Sequence, residues 1–335
     1  MLATFYSVLT PMLTLAVCIL VGYALHRFHI LPDNAGKVMA KLETWVFLPA
    51  LCFYTTSTRC TPDTISTHSV NLMFALVGVT MAIGISYLLV GFFCKKGDSH
   101  RGVYLYALAF ANSGYMGDPL VIALFPGTDA LAYYKVFCLP ISLAIYTWGI
   151  SGMIPSDKKN GGILHKVVNP PTMSLLLGIV FGLLRFWERL PTPSTKFALD
   201  ALEKLSGCMG PVAMLLAGFT IGGYHVGRML RNRRVYAASL LRLTVIPTAI
   251  ITVLFCFRLL LHAIGLEVGV EPFFLSFFAI ATPLGLNTVV FPEAYGGDAE
   301  TGAGMTLVSH TLCILTIPLL YTLMTVLFGT PFTTP

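Results

Sequence analysis

Residues 112–120, with the sequence NSGYMGDPL, combine residue types that rarely occur together inside an apolar segment. They lie within the apolar run 103–126, which is long enough to cross a bilayer. Proline removes a backbone donor and glycine loosens the helix on either side, so we expect the helix to be broken here. In hydrocarbon the freed backbone groups must find partners inside the protein. A break of this kind is typical of a segment that lines a binding site.

A second apolar run, residues 272–295, carries the sequence ATPLGLNTVVFPEAY and is expected to be broken in the same way. Two broken spans in corresponding halves are typical of a transporter site at mid-membrane. Helix N-termini and their free N–H groups suit a carboxylate, whereas C-terminal ends and unwound carbonyls suit a cation. Alternatively, the polar side chains only satisfy unwound backbone. The predicted substrate-binding residues are Asn112, Ser113, Gly114, Tyr115, Gly117, Pro119, Thr282, Asn287 and Thr288.

Asp118 is the acid in the first break, and it is a candidate for coupling. An acid at mid-membrane costs roughly 2.5–3.5 kcal/mol on insertion scales, so a functional role is the default expectation. It could bind a cation, carry a proton or pair with Lys135. His310 is a second coupling candidate, with a packing role as its alternative. Arg242 is expected to face a polar partner or to reach the interface, and Glu43 is expected to be solvated.

Composition indicates a polytopic membrane protein. The 335 residues are 56% hydrophobic and 11% charged, against about 25% charged residues in soluble domains, and the mean hydropathy is +0.79. The net charge of +6 lies in short loops and helix ends, which indicates membrane orientation and not a nucleic-acid partner. The eight cysteines form no C-x-x-C pair, so neither a metal site nor a disulfide framework is expected. The first apolar run is too long for a cleavable signal.

The fold class predicted is all-α, with ten transmembrane helices. The segments are 4–25, 38–57, 69–93, 103–125, 130–154, 171–187, 205–223, 235–264, 272–295 and 302–328. Thirteen lysines and arginines fall on one side if both termini are non-cytoplasmic. The expected location is the plasma (inner) membrane. Residues 188–205 are expected to form an interfacial helix, with an extension of the seventh span as the alternative.

The chain is expected to consist of two five-helix repeats, 1–154 and 171–335, joined by a cytoplasmic connector, 155–170. Prolines, a glycine and an aspartate recur in order at slowly drifting offsets between the halves. Since five helices per half is odd, the repeats would be inverted, with the broken fourth and ninth helices as counterparts.

An enzyme is not predicted. The runs GYMGD and YGGD resemble the G-x-G-D run of intramembrane aspartyl proteases, but the chain has no Tyr-Asp partner motif. A phosphate-binding G-x-x-x-x-G-K-[ST] loop is absent, which argues against an ATP-driven pump. No catalytic residue, metal site or cofactor is expected, apart from a possible coupling Na⁺ or H⁺.

The chain resembles the auxin efflux carrier family, which includes the plant PIN-FORMED carriers and bacterial organic-acid carriers. The resemblance rests on NSGYMGDPL, on VNPPTMSLLLGIVFGLL at 168–184, on TPLGLNTVVFPEAYGGD at 282–298 and on LTIPLLY at 315–321. It implies a scaffold of helices 1, 2, 6 and 7, a transport domain of helices 3–5 and 8–10, and a homodimer through the scaffold by analogy. Asn112 and Pro119 match the first crossover. Thr288 stands where the plant carriers have proline, and Asp118 replaces an apolar residue.

The function predicted is secondary active transport of a small organic anion, auxin-like or a dicarboxylate, by an elevator-type movement. Asn112, Asn287 and Thr288 would hold the carboxylate with nearby backbone N–H groups, and Asp118 would couple transport to a cation or proton. The alternatives are a sodium-coupled symporter similar to the bile-acid carriers, or a membrane receptor on the same fold.

Overall fold

The computed structural model describes residues 2–125, 130–153 and 170–329, and these residues are almost entirely helical. The predicted connector 155–170 therefore lies almost wholly outside the described residues. The helices of the first half are α1 (Leu2–Arg27), α2 (Ala35–Leu42), α3 (Leu48–Arg59), α4 (Pro62–Thr67), α5 (Ser69–Leu89), α6 (Arg101–Ala109), α7 (Asp118–Leu124), α8 (Ala130–Ala144) and α9 (Ile150–Met153). Those of the second half are α10 (Pro170–Leu183), α11 (Thr192–Gly223), α12 (Val226–Arg231), α13 (Arg233–Leu240), α14 (Ile246–Ala263), α15 (Glu271–Ile280), α16 (Asn287–Tyr295) and α17 (Ala299–Phe328).

Several helices have the length and apolar composition needed to cross a bilayer. Among the described residues, five meet both requirements: Ser69–Phe92, Tyr133–Met153, Thr192–Gly223, Arg233–Ala263 and Ala299–Phe328. Three shorter apolar helices accompany them. Large apolar side chains on α17 are exposed, such as Leu319 at 68% and Val326 at 69%, as expected for a surface that faces lipid.

Helices α1, α3, α10 and α11 pack closely through glycines. A Cβ atom on Gly218 of α11 would lie 1.9 Å from the Ile19 carbonyl oxygen of α1, and one on Gly22 would lie 2.1 Å from that of Leu215. On α10, a Cβ atom on Gly178 would lie 2.0 Å from the Thr56 hydroxyl oxygen. Small residues let helix backbones approach closely in membranes, and they do so in these contacts.

The interfacial helix expected at residues 188–205 is not a separate element. Helix α11 runs without interruption from Thr192 to Gly223, so the extension of the seventh span is the correct alternative. A short 3₁₀ turn, Phe186–Arg189, precedes it. Apolar residues of this stretch, such as Phe197 and Leu205, are exposed together with the polar ones.

Wide π-helical turns interrupt several spans just before a proline. The turns Glu43–Phe47, Ser113–Gly117 and Leu241–Val245 each end two residues before Pro49, Pro119 or Pro247. Proline lacks the N–H that would continue the regular ladder, and such wide turns occur often at functional sites.

The first of these wide turns buries Glu43, which overturns the expectation that this residue is solvated. Glu43 is 0% exposed, and both of its carboxyl oxygens lack a partner among the described residues. Its turn packs against α11 and α16. The residue therefore lies inside the helix bundle although it is only eight residues from the start of its span.

Candidate functional site

The two broken spans cross and satisfy each other's backbone. The N–H of Asn112 donates to the Pro283 carbonyl at 2.7 Å, and the N–H of Gly285 donates to the Phe110 carbonyl at 3.2 Å. Ala111 and Leu284 form an isolated antiparallel bridge between the two bonds. The breaks are thus two short extended segments that pair in an antiparallel way. The pairing gives their backbone groups the hydrogen-bond partners that hydrocarbon does not supply.

After the bridge each of the two segments continues into a helix whose N-terminus faces the crossing point. The wide turn Ser113–Gly117 starts the first half-helix, and the N–H groups of Met116 and Gly117 both donate to the Asn112 carbonyl. Helix α16 starts the second at Asn287. The first N–H groups of a helix lack partners within it and carry partial positive charge. The start of the first half-helix therefore directs donors at the crossing, whereas the N–H groups of Thr288 and Val289 at the start of α16 already bond to the Gly285 and Leu286 carbonyls.

Asn112 is oriented by His310. The His310 Nδ1 atom lies 2.9 Å from the Thr306 carbonyl oxygen, so Nδ1 carries the proton and Nε2 is an acceptor. The Asn112 Nδ2 atom, 3.3 Å from Nε2, is then the donor. The Asn112 Oδ1 atom is buried, with no partner among the residues that the structure describes. His310 thus leaves one amide oxygen free at the crossover.

Asn287 is held in the same manner by a tyrosine. Its Nδ2 atom donates to the Tyr106 hydroxyl at 2.9 Å, and its Oδ1 atom has no partner in the described part of the chain. Thr288 bonds instead to the Gly285 carbonyl at 2.8 Å, so it caps backbone. The Thr282 hydroxyl is buried and meets no partner within residues 2–125, 130–153 and 170–329.

Asp118 and Lys135 form an ion pair, as the sequence suggested. The two side chains are each 21% exposed, and both line the crossover cavity. The acid is therefore neutralised by a cation from α8, and it is not a free carboxylate at mid-membrane. Breaking such a partly buried pair from one side costs on the order of 3–5 kcal/mol.

Two predicted residues of the first break have different local settings. Gly114 is exposed and lines the cavity. Gly117 is buried, and a Cβ atom there would lie 2.0 Å from the Tyr134 hydroxyl oxygen. Gly117 therefore serves a close approach and not a contact with the cavity. The side chains of Tyr115 and Pro119 lie outside the described part of the structure.

A cavity of about 80 Å³ lies at the crossover. One side is formed by residues of the first break, the start of α16 and α8, and the other by residues of α3, α10 and α11. Its lining includes Asn112, Ser113, Gly114, Asp118, Lys135, Asn287, Cys52, Thr55, Thr56, Leu175 and Met209. Pockets for drug-sized ligands usually measure about 300–1,000 Å³, so this one suits a small molecule. Thr282, Thr288 and His310 do not line it.

Two tyrosines were missed by sequence reasoning. Tyr106 holds Asn287, and the Tyr134 hydroxyl lies 2.9 Å from the Ser113 carbonyl oxygen and 3.2 Å from that of Phe278. Both are fully buried in apolar spans. A buried tyrosine needs a partner for its hydroxyl, and this is the only signal that the sequence carries.

Apolar spanning helices with a buried polar crossover define an integral, multi-pass membrane protein. The family described as membrane transport protein matches residues 7–161 and 162–321. The chain belongs to this family, the auxin efflux carrier family, which confirms the resemblance read from the sequence.

The relatives are themselves described as transporters. An uncharacterized transporter of Methanocaldococcus jannaschii is 24% identical over 312 residues, covering 92% of this chain and 96% of the relative. An uncharacterized transporter of Methanothermobacter thermautotrophicus is 27% identical over 212 residues, covering 62% of this chain and 66% of the relative.

Proposed function

We propose that this chain is a secondary active carrier of a small organic anion and that the crossover cavity is its substrate site. The observation that supports this most directly is the cavity lining, in which helix N-termini, an ion pair and two asparagines with unpartnered oxygens meet. Polar groups of this kind are retained within a membrane where they serve a ligand.

The substrate carboxylate would accept hydrogen bonds from the N–H groups at the start of the Ser113–Gly117 turn and from Lys135. Asn112 would take a different part from the one expected, because one N–H of its amide is directed at His310 and its oxygen has no partner among the described residues. That oxygen needs a donor. A small hydroxy acid or half-protonated dicarboxylate supplies both a carboxylate and a donor in a cavity of about 80 Å³.

Coupling would run through the ion pair. A substrate carboxylate that binds Lys135 competes with Asp118 for the same ammonium group. If Asp118 takes up a proton at that moment, the carboxylate replaces it and the site gains no net charge. Anion and proton would then cross together, with Asp118 as the proton carrier and His310 as a positioning residue.

The architecture would be ten spans in two inverted repeats. The family matches the chain in two segments that meet at residues 161 and 162, inside the predicted connector. The glycine contacts join α1 to α11 and α3 to α10. These four helices lie in the predicted spans 1, 2, 6 and 7, so the contacts support those spans as a scaffold. The remaining helices would move as an elevator, in a plasma-membrane protein with non-cytoplasmic termini and a second copy packed against the scaffold.

Uptake of labelled malonate, malate and indole-3-acetate into proteoliposomes tests the proposal. Wild type is expected to accumulate malate or malonate when a pH gradient is imposed, and Asn112→Ala is expected to lose this uptake. Asn34→Ala, which changes an exposed asparagine outside the crossover cavity, is the matched control. Asp118→Asn should retain exchange but lose its response to the gradient. Saturable binding without flux under any gradient would replace the carrier with a receptor.

A further inference from the structure

The C-terminal end of α15 meets a buried arginine at the crossover. The last carbonyls of a helix lack partners within it and carry partial negative charge. Here the Ile280 carbonyl accepts a hydrogen bond from Arg242 Nη2 at 2.6 Å. The Phe278 carbonyl, two residues earlier, lies 3.2 Å from the Tyr134 hydroxyl. The negative end of this half-helix is therefore covered by side chains of the protein.

Arg242 is an unusual group at this position. It is 1% exposed, and it forms no ion pair with a carboxylate among the described residues. Its Nε and Nη1 atoms have no hydrogen-bond partner in the described parts of the chain. A guanidinium group stays charged at physiological pH, and burying it without a counter-ion is costly. The only negative potential that the described contacts give it is that of the helix end.

The wide turn Leu241–Val245 brings Arg242 to this place. The turn precedes Pro247 and alters the helical register of the span at the arginine. The wide turn packs against α17 and α6, and neither places a carboxylate against the guanidinium. Arg242 is thus a cation whose hydrogen bond goes to a backbone carbonyl oxygen, that of Ile280.

In carriers built on broken helices, unwound carbonyls and half-helix C-termini are where a coupling cation binds. We propose that Arg242 is a built-in substitute for such a cation, and that this chain needs no sodium ion at the end of α15. The inference rests on the proposed transport function for its meaning. It also favours proton coupling over sodium coupling, because the helix end is occupied by the protein's own cation and the proton at Asp118 remains as the coupled ion.

The first experiment measures stability and needs no substrate. Thermal unfolding of the detergent-purified protein is followed for wild type, Arg242→Ala and Arg258→Ala in sodium, choline or guanidinium chloride at matched millimolar concentrations. Arg258 is the control because it lies on the adjoining helix α14 and faces the Phe273 ring, 5.7 Å from its centroid. Wild type should unfold at the same temperature in sodium and in choline. Arg242→Ala should unfold earlier than Arg258→Ala and recover in guanidinium or sodium.

The inference is overturned if sodium stabilises wild type over choline, or if added cations shift Arg242→Ala no more than Arg258→Ala. A purely structural cap makes a different prediction, since the neutral donor in Arg242→Gln would then restore stability with no response to cations. Rescue by Arg242→Gln alone would therefore also refute the built-in cation.

The second experiment measures malate and malonate uptake in sodium-free proteoliposomes. Wild-type uptake should be unchanged when choline replaces sodium, and uptake by Arg242→Ala should be at least tenfold lower and partly restored by guanidinium. Wild-type uptake that requires sodium would refute the inference while leaving the carrier intact. If wild type moves neither probe and binds them without flux, the carrier proposal fails, and the stability experiment still decides the role of Arg242.

Discussion

Replacing Tyr106 by phenylalanine removes a single oxygen atom at the crossover. That oxygen accepts the Asn287 Nδ2 hydrogen bond at 2.9 Å, and Asn287 is only 5% exposed. Since the Asn287 Oδ1 atom has no partner already, the change leaves the whole amide unpaired. A buried polar group left without its partner costs about 1–3 kcal/mol. We expect the free energy of unfolding to fall by that amount.

Asn287 lines the cavity, so the loss should also reach the ligand. A misplaced amide that costs about 1.4 kcal/mol of binding raises the half-saturating substrate concentration about tenfold. Stability is measured by unfolding in SDS–lipid micelles, and affinity by uptake of malate or malonate. Tyr104→Phe, on the same helix, is the control because its hydroxyl bonds to Asn232, away from the crossover. It should lose stability alone. Unchanged stability and affinity in Tyr106→Phe would refute the assigned hydrogen bond and the positioning role.

Three further changes test other contacts. Gly218→Ala would place a Cβ atom 1.9 Å from a backbone carbonyl oxygen of α1, and it should lower the free energy of unfolding by about 1–3 kcal/mol. Gly207→Ala is the control on the same helix, because its Cβ atom would meet nothing within 4 Å. Equal effects of the two changes would contradict the close approach. His100 in the α5–α6 connector donates to Asp298, and this bond raises the pKa of the imidazole. The stabilisation that this bond contributes should be complete below about pH 6.5 and lost as pH rises through the raised pKa. The free energy of unfolding, measured as a function of pH, should show this loss in wild type and not in His100→Gln. Lys135→Met leaves the carboxylate of its ion pair unpaired and should cost about 3–5 kcal/mol in the SDS titration; a loss below 1 kcal/mol would show that the pair is solvated.

The breaks in the helices could be predicted because their cause is local. Glycine and proline in residues 112–120 and 282–288 act on their own backbone, and the structure unwinds the chain at both places. The pairing of Asp118 with Lys135 was also within reach. A lone acid in an apolar span needs a counter-charge, and the chain offers few candidates nearby.

The positioning contacts could not be predicted because they depend on which side of a helix faces the bundle. Tyr106 and Tyr134 lie among apolar residues, and nothing in their neighbours indicates the asparagine or carbonyl that each one meets. Glu43 was expected in water because it is close to the start of its span, yet the wide turn directs it inward. The partner of Arg242 is a backbone carbonyl, which no residue type announces.

The antiparallel bridge also constrains how the protein is made. The N–H of Asn112 has its partner in Pro283, which lies in the second half of the chain. At a synthesis rate of roughly 5–20 residues per second, the first break waits on the order of ten seconds or more for that carbonyl to leave the ribosome. During this interval residues 110–112 have no backbone partners from the second break. The first half is thus fully folded only after the second half has been made. A chain truncated before residue 283 would leave inserted helices with unpaired backbone groups, which quality-control proteases can recognise.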